Sequence, residues 1–234
     1  MAKKSSDRNE VPEQLFQDDT LPLPQGYGES KHVASRILAT AAAKSRVPCT
    51  IIRAGQLAGP TEAKGLWNKH EWLPSIIQTS KSLGQIPESL GNQDCVDWVP
   101  VDAAAGTVVD AVHFRTRERT AESKPCDVVN LVNPHTVQWK ELIPAVRDFY
   151  SEQHIQAVSM AQWLEELNRV PLTPREIADK PGVKLLDFYE GMRAEGAGLP
   201  RMATEHMEEC SRTMRELKAV SRGLMDVWLK QWDF

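Results

Sequence analysis

The chain has 234 residues, 41% of them hydrophobic and 26% charged, a balance ordinary for a soluble protein able to build a core. Lys and Arg total 28 against 32 Asp and Glu, so the net charge is −4, which excludes a general nucleic-acid or membrane-surface binder resting on basic excess. No run approaches the ~18 uninterrupted apolar residues of a membrane span, and the basic start Met1-Ala2-Lys3-Lys4-Ser5-Ser6 leads into no hydrophobic segment, so the expectation is a cytoplasmic protein without a secretory signal.

In chain order, residues 1–26 read as a polar, extended N-terminal segment closing on Leu21-Pro22-Leu23-Pro24-Gln25-Gly26. Helical periodicity runs from Glu29 to Arg46, with Val33, Ile37, Leu38, Ala41 and Ala42 on one apolar face, and Pro48 stops it. Cys49–Arg53 predicts a short buried strand ended by Gly55, and Gly55–Gly65 a loop. Trp67–Leu83 predicts a helix, Val96–Val99 a short strand, and Asp102 an N-cap for an Ala/Val helix reaching Phe114. After the polar loop Arg115–Pro125, Asp127–Val132 is the clearest strand, followed by a helix over 138–150 and a strand over His154–Val158. Ser159 with Gln162, and Thr173-Pro174-Arg175-Glu176, are capping boxes opening further helices. Leu217, Val220, Leu224, Trp228 and Trp232 form a late apolar stripe that reads as core docking. Alternation of strands and helices points to α/β.

Cys49, Cys95, Cys126 and Cys210 stand far apart, with no CxxC, and read as reduced, buried core thiols. The histidines His32, His70, His113, His135, His154 and His206 form no HxxxH or HxxH pair, so no metal is expected.

Tyr27 and Lys31, in Tyr27-Gly28-Glu29-Ser30-Lys31, carry the chemistry. Positions i and i+4 share a helix face, and an ammonium beside a phenol favours the phenolate, so such a tyrosine is suited to hand a proton to a carbonyl oxygen as hydride arrives at carbon. The pair stands at the head of an ordered set: Gly26–Val33, then Arg53-Ala54-Gly55-Gln56-Leu57-Ala58-Gly59-Pro60, then Trp67-Asn68 and Trp72-Leu73-Pro74-Ser75, then Asp97-Trp98-Val99-Pro100-Val101-Asp102. This run resembles the C-terminal thioester reductase domain of fungal adenylating reductases, the nonribosomal-peptide-synthetase-like enzymes with their α-aminoadipate and carboxylic acid reductase relatives, within the extended short-chain dehydrogenase/reductase superfamily. The resemblance covers about Val11 to Phe234. It implies that Tyr27 is the proton donor and that Lys31 tunes it and hydrogen-bonds the nicotinamide ribose. It implies too that Arg53, Gly55 and Gln56 belong to the turn passing the cofactor, which the family takes as NADPH. Trp67, Asn68 and Trp98 are read either as substrate or pantetheine channel or as core, and Asp102 as structural.

A dinucleotide site needs a glycine-rich turn after the first strand, and no GxGxxG or GxxGxxG occurs in the chain; the nearest pair, Gly196 and Gly198, follows no strand. The family's catalytic serine or threonine has no convincing match, Ser5 and Ser6 lying in the polar tail. The expected architecture is therefore the C-terminal half of a Rossmann-like domain, N-terminally truncated. Residues 1–26 are its extended segment, 27–135 a partial reductase core with an incomplete parallel sheet, and 136–234 a mainly helical substrate-side region.

The activity so implied is NADPH-dependent reduction of an acyl thioester, held on a phosphopantetheine carrier protein, to an aldehyde or alcohol. The alternatives are an inactive remnant or carrier-binding module, and an epimerase or dehydratase acting on a nucleotide sugar. No nucleic-acid or membrane partner is expected.

Overall fold

The computed structural model describes residues 10–20, 26–45, 47–117, 124–193 and 199–234. Ser5, Ser6, Arg46, Gly196 and Gly198, weighed above, lie outside the described residues. The strands are β1 (Glu10–Val11), β2 (Cys49–Ala54), β3 (Leu57–Ala58), β4 (Gln85–Pro87), β5 (Cys95–Val96), β6 (Val99–Pro100), β7 (Cys126–Leu131), β8 (Val137–Gln138), β9 (Gln156–Val158) and β10 (Arg201–Met202). The helices are α1 (Gly26–Ser45), α2 (Trp72–Leu83), α3 (Val101–Arg117), α4 (Trp139–Phe149), α5 (Met160–Asn168), α6 (Pro174–Asp179), α7 (Leu186–Met192), α8 (Glu205–Cys210), α9 (Arg212–Glu216) and α10 (Arg222–Trp232). The fold is mixed α/β, and no helix among the described residues is long and apolar enough to cross a membrane.

The described residues fall into two compact units. The first draws on Met1–Gln56, Ala104–Val132 and Pro200–Leu217. Its centre is the parallel pair β2–β7, in register from Cys49 opposite Cys126 to Ala54 opposite Leu131. Ile51, Val128, Val129 and Leu131 are its buried apolar residues. β1 pairs in parallel with β10, Glu10 opposite Arg201. The stretch after β1 is held by polar groups: the Asn130 amide donates to Val11 O at 3.0 Å and Ala203 O at 2.9 Å. The Glu13 carboxylate accepts from the backbone N–H of Asn130, His206 and Met207, the last two at the start of α8. Asp110 on α3 accepts from Thr213 N–H at 2.9 Å and from the Ser211 hydroxyl at 2.8 Å, fixing the start of α9.

The second unit draws on Leu57–Ala103, Asn133–Leu199 and Lys218–Phe234. Its strand pairs are β3–β6 and β4–β9, both parallel, and β5–β8, antiparallel. A tryptophan cluster fills its core: Trp67, Trp98, Trp139, Trp163, Trp228 and Trp232 are buried, with Leu73, Ile76, Ile77, Ile86 and Leu90 among their neighbours. A buried indole N–H must find an acceptor. Trp228 donates to Pro60 O, Trp232 to Trp67 O, Trp139 to Pro87 O, Trp163 to the Ser80 hydroxyl and Trp67 to the Glu71 carboxylate. Gly59 admits Trp228: a Cβ there would stand 2.6 Å from Trp228 Cδ1, inside contact distance.

Local signals hold well. The Ser159 capping box forms as predicted. At Thr173 the cap and the following Pro174 form, but the Glu176 carboxylate pairs with Lys180 and does not close the predicted box. Trp228 and Trp232 are buried on α10, though Leu217 and Val220 precede that helix. Other expectations change. α2 begins at Trp72, because Asn68 Oδ1 accepts from His70 N–H and Asn68 O from Glu71 N–H, turning the chain before the helix. The Val96–Val99 strand splits into β5 and β6, whose partners are different strands. Cys210 is buried and Cys49 and Cys126 are half-buried, but Cys95 is exposed. On α1 the predicted apolar face is largely uncovered among the described residues, with Val33, Ile37 and Leu38 exposed and Ala42 buried.

The hydrogen bond from Thr213 N–H, helped by Thr213 and Ser211 side chains and His113, holds the Asp110 carboxyl below its ordinary 3.8. A carboxylate depressed in the folded state adds stability that is present above pH 3.8 and is lost as pH falls through the folded value. Asp110→Asn is therefore expected to lower the stability read by urea denaturation near neutrality by about 0.5–1 kcal/mol, solvent exposure keeping the figure low. The gap from the parent chain should close as pH falls from 3.8 through the lower folded value; a gap of constant size throughout acid unfolding would refute the role of the charge.

Candidate functional site

Tyr27 and Lys31 lie in the first turns of α1, and the Lys31 ammonium stands 5.2 Å from the centre of the Tyr27 ring. The phenol is 74% exposed, open to a reacting partner. The Ser30 hydroxyl donates to Tyr27 O at 2.8 Å, tightening this first turn. The spacing thus brings phenol and ammonium onto one exposed helix face, as the i, i+4 rule requires.

At the carboxyl end of β2, the Arg53 guanidinium donates to Pro12 O at 3.1 Å and Gln14 O at 2.7 Å and lies 4.4 Å over the Phe16 ring. Burial pushes its pKa down. That side chain is engaged with the N-terminal stretch, while its backbone remains in the β2–β7 ladder. Gly55 N–H donates to Leu131 O at 3.0 Å, and a Cβ on Gly55 would meet Val132 Cγ1 at 2.6 Å. The glycine is thus required for two chain segments to pass closely. Gln56, half-buried, follows.

In the second unit Trp67 and Trp98 are in the core, edge-to-face at 5.7 Å, and Trp67 meets Trp228 edge-to-face at 5.0 Å. Asn68 is exposed in its turn. Burial raises the Asp97 carboxyl from its ordinary value. Asp102 lies one residue inside α3 and not ahead of it; its carboxylate accepts from the Thr61 backbone N–H at 3.1 Å and from the Thr61 hydroxyl. Its role is to hold the 59–61 loop.

A family model described as Male sterility protein, of the NAD-binding kind, matches residues 2–108. A carboxylic acid reductase of Neurospora crassa is 38% identical over 232 residues, an alignment covering 96% of this chain and 21% of that protein. The chain is similar to this carboxylic acid reductase over nearly its whole length. Among solved structures, the terminal R domain from the myxalamid PKS-NRPS biosynthetic pathway matches with a TM-score of 0.72 at 20% identity, over 96% of this chain and 54% of the other. A thiolation-reductase di-domain from an archaeal non-ribosomal peptide synthetase matches with a TM-score of 0.66 at 18% identity, over 97% and 44%. These likenesses establish a Rossmann-like α/β fold shared with those solved domains. The chain spans about a fifth of the length of the carboxylic acid reductase and about half of the R-domain structure.

Beside Tyr27, Lys31 and the 53–56 segment, the first unit brings together a group that the sequence pattern did not single out. His206 Nε2 lies 2.8 Å from Asp127 Oδ2, and Cys210 Sγ lies 3.9 Å from the same nitrogen. A search confined to histidine pairs misses His206 and Cys210, whose i, i+4 spacing was visible; Asp127, 79 residues earlier, was not locally connected to them.

Because Gly55 is excluded from carrying a side chain by Val132, Gly55→Ala is expected to cost about 1–3 kcal/mol in chemical denaturation. In a Val132→Ala background the same change should cost markedly less. Simple additivity of the two substitutions would show that the contact is not the cause.

Proposed function

We propose that this chain carries the proton-donating part of a nicotinamide-dependent reductase acting on acyl thioesters. The observation that carries the reading is the Tyr27–Lys31 pair on one exposed face of α1, inside a sequence 38% identical to a carboxylic acid reductase. The thiolation-reductase neighbour supports a phosphopantetheine carrier protein as substrate donor. The family resemblance favours NADPH over NADH.

Tyr27 and Lys31 fit the nicotinamide-ribose end of such a cofactor, since a hydroxyl and an ammonium face the same open side of α1. No residue of this chain is assigned to the pyrophosphate, as the sequence contains no glycine-rich dinucleotide turn. When bound, the cofactor supplies hydride to the thioester carbonyl carbon. Tyr27 gives its phenolic proton to the carbonyl oxygen as charge develops there, and Lys31 stabilises the phenolate left behind. Lys31 also holds a ribose hydroxyl. In the second half of the reaction the Tyr27 phenolate takes the proton back from the thiohemiacetal hydroxyl as the C–S bond breaks. The aldehyde leaves, and the thiolate of the carrier arm takes a proton from water. Arg53 near the end of β2 and the turn through Gly55 and Gln56 pass the nicotinamide, with Gly55 keeping that turn close to the end of β7.

The test uses the protein as its gene encodes it, a carrier protein loaded with an acyl thioester, and NADPH. Tyr27→Phe is expected to lower kcat by about 10²–10⁴-fold while NADPH affinity, followed by nicotinamide fluorescence, changes little. Lys31→Ala should lower both turnover and affinity. Undiminished turnover in Tyr27→Phe would defeat the assignment, as would a parent protein that consumes no NADPH.

A further inference from the structure

We propose that Asp127, His206 and Cys210 form a binding site for a zinc-class divalent transition-metal ion. None of these residues is used in the reduction above.

The donors come from two elements of one unit. β7 supplies Asp127 from its second position, and α8 supplies His206 and Cys210, which its i, i+4 spacing stacks on one face. One ligand atom from each lies within 4.8 Å of the other two. The donor set of imidazole, thiolate and carboxylate is that of zinc.

The separations are close to those a tetrahedral ion needs. With zinc bonds of about 2.0–2.3 Å, the nitrogen–oxygen edge is about 3.3 Å and the nitrogen–sulfur edge about 3.5 Å. Here they are 2.8 Å and 3.9 Å, so binding opens one contact by about half an ångström and closes the other by slightly less. The separation of Asp127 and Cys210, within 4.8 Å, must close by up to about 1.3 Å to reach the oxygen–sulfur edge of about 3.5 Å.

The surroundings match a metal histidine in a second respect. A ligating imidazole commonly donates its other N–H to a carboxylate, which fixes the tautomer and strengthens the ligand nitrogen. His206 Nδ1 lies 3.4 Å from Glu209 Oε2, leaving Nε2 toward Asp127, while Cys210 Sγ stands 3.9 Å from both ring nitrogens. Asp127 and Cys210 are buried, and the His206 side chain retains 33% exposure, an entry path and a place for water as fourth ligand.

Charge favours a cation. The carboxylates of Asp127, Glu13 and Glu209 all act on His206 and Cys210. The guanidinium of Arg115 opposes them from 3.9 Å off Asp127 Oδ2. Binding replaces the Cys210 thiol proton, which passes to water, as the metal–sulfur bond forms. The bound ion would tie α8 to β7.

The chain, stripped with a chelator and kept reduced with a non-thiol reductant, is titrated with Co²⁺ alone as a spectroscopic probe and then with Zn²⁺. The expected result is a saturable thiolate-to-cobalt charge-transfer band at one ion per chain, displaced by Zn²⁺. Cys210→Ser should lose that band while keeping its far-ultraviolet circular dichroism, and a variant with Cys49, Cys95 and Cys126 all changed to Ser should keep it. Glu209→Gln should weaken binding by about 10-fold or more. If Cys210→Ser does not fold, His206→Gln serves instead, with at least a 10-fold loss of Co²⁺ affinity expected. No band in the folded parent chain would overturn the proposal, as would a band that survives Cys210→Ser or an unchanged affinity in His206→Gln.

Discussion

Parallel pairing between distant segments is the constraint that organises this chain. Among the described residues, four of the five strand pairs are parallel, and none joins strands adjacent in sequence. A parallel partner cannot be reached by a tight hairpin; the chain must cross over and return. Every segment between paired strands is therefore obliged to carry helix or loop. β2 and β7, the ladder that ends beside Gly55, are separated by 71 residues. Loss of one pairing would remove the partner of a strand far away in sequence while leaving its local propensity intact.

Buried polar groups decide where those returning segments come to rest. A buried amide or indole left without a partner costs about 1–3 kcal/mol, comparable to many apolar contacts. Asn130 spends its side-chain N–H groups on Val11 O and Ala203 O, so one residue of β7 determines where β1 and the approach to α8 lie. Asn133 does the same in the second unit, donating to Trp98 O and Lys218 O. The indoles of Trp228 and Trp232 fix the 60–67 loop by its carbonyls, so the same side chains that fill the core also specify the loop's path. Apolar burial supplies most of the driving force, and these directional bonds supply the register.

That division explains what was legible in the sequence. Caps at Ser159 and Thr173, the β2 and β7 strands and the tryptophan stripe of α10 are local features, set by residues within a few positions of one another. The Tyr27–Lys31 pair was legible for the same reason. Pairing partners were not, because a two-residue strand such as β3 carries no record of the strand it will meet. Glu13 looked like one more charge in a polar tail, yet it accepts three backbone N–H groups across 117 to 194 residues. The apolar face of α1 was correctly seen as apolar, but periodicity shows only that a face is available for burial, and Val33, Ile37 and Leu38 remain exposed.

The β2–β7 pair also orders its surroundings along its length. In parallel α/β sheets, ligands bind beyond the carboxyl ends of the strands, where loops are free to vary without disturbing the ladder. Gly55 and Val132 stand at that end, immediately after Ala54 and Leu131. Asp127 stands near the opposite end, four residues before Leu131, which at strand rise is about 13 Å away. A metal ion held by Asp127, His206 and Cys210 would therefore stiffen the amino end of the pair without entering the turn proposed to pass the nicotinamide. The two assignments stand or fall separately, because a rigid ladder lies between them.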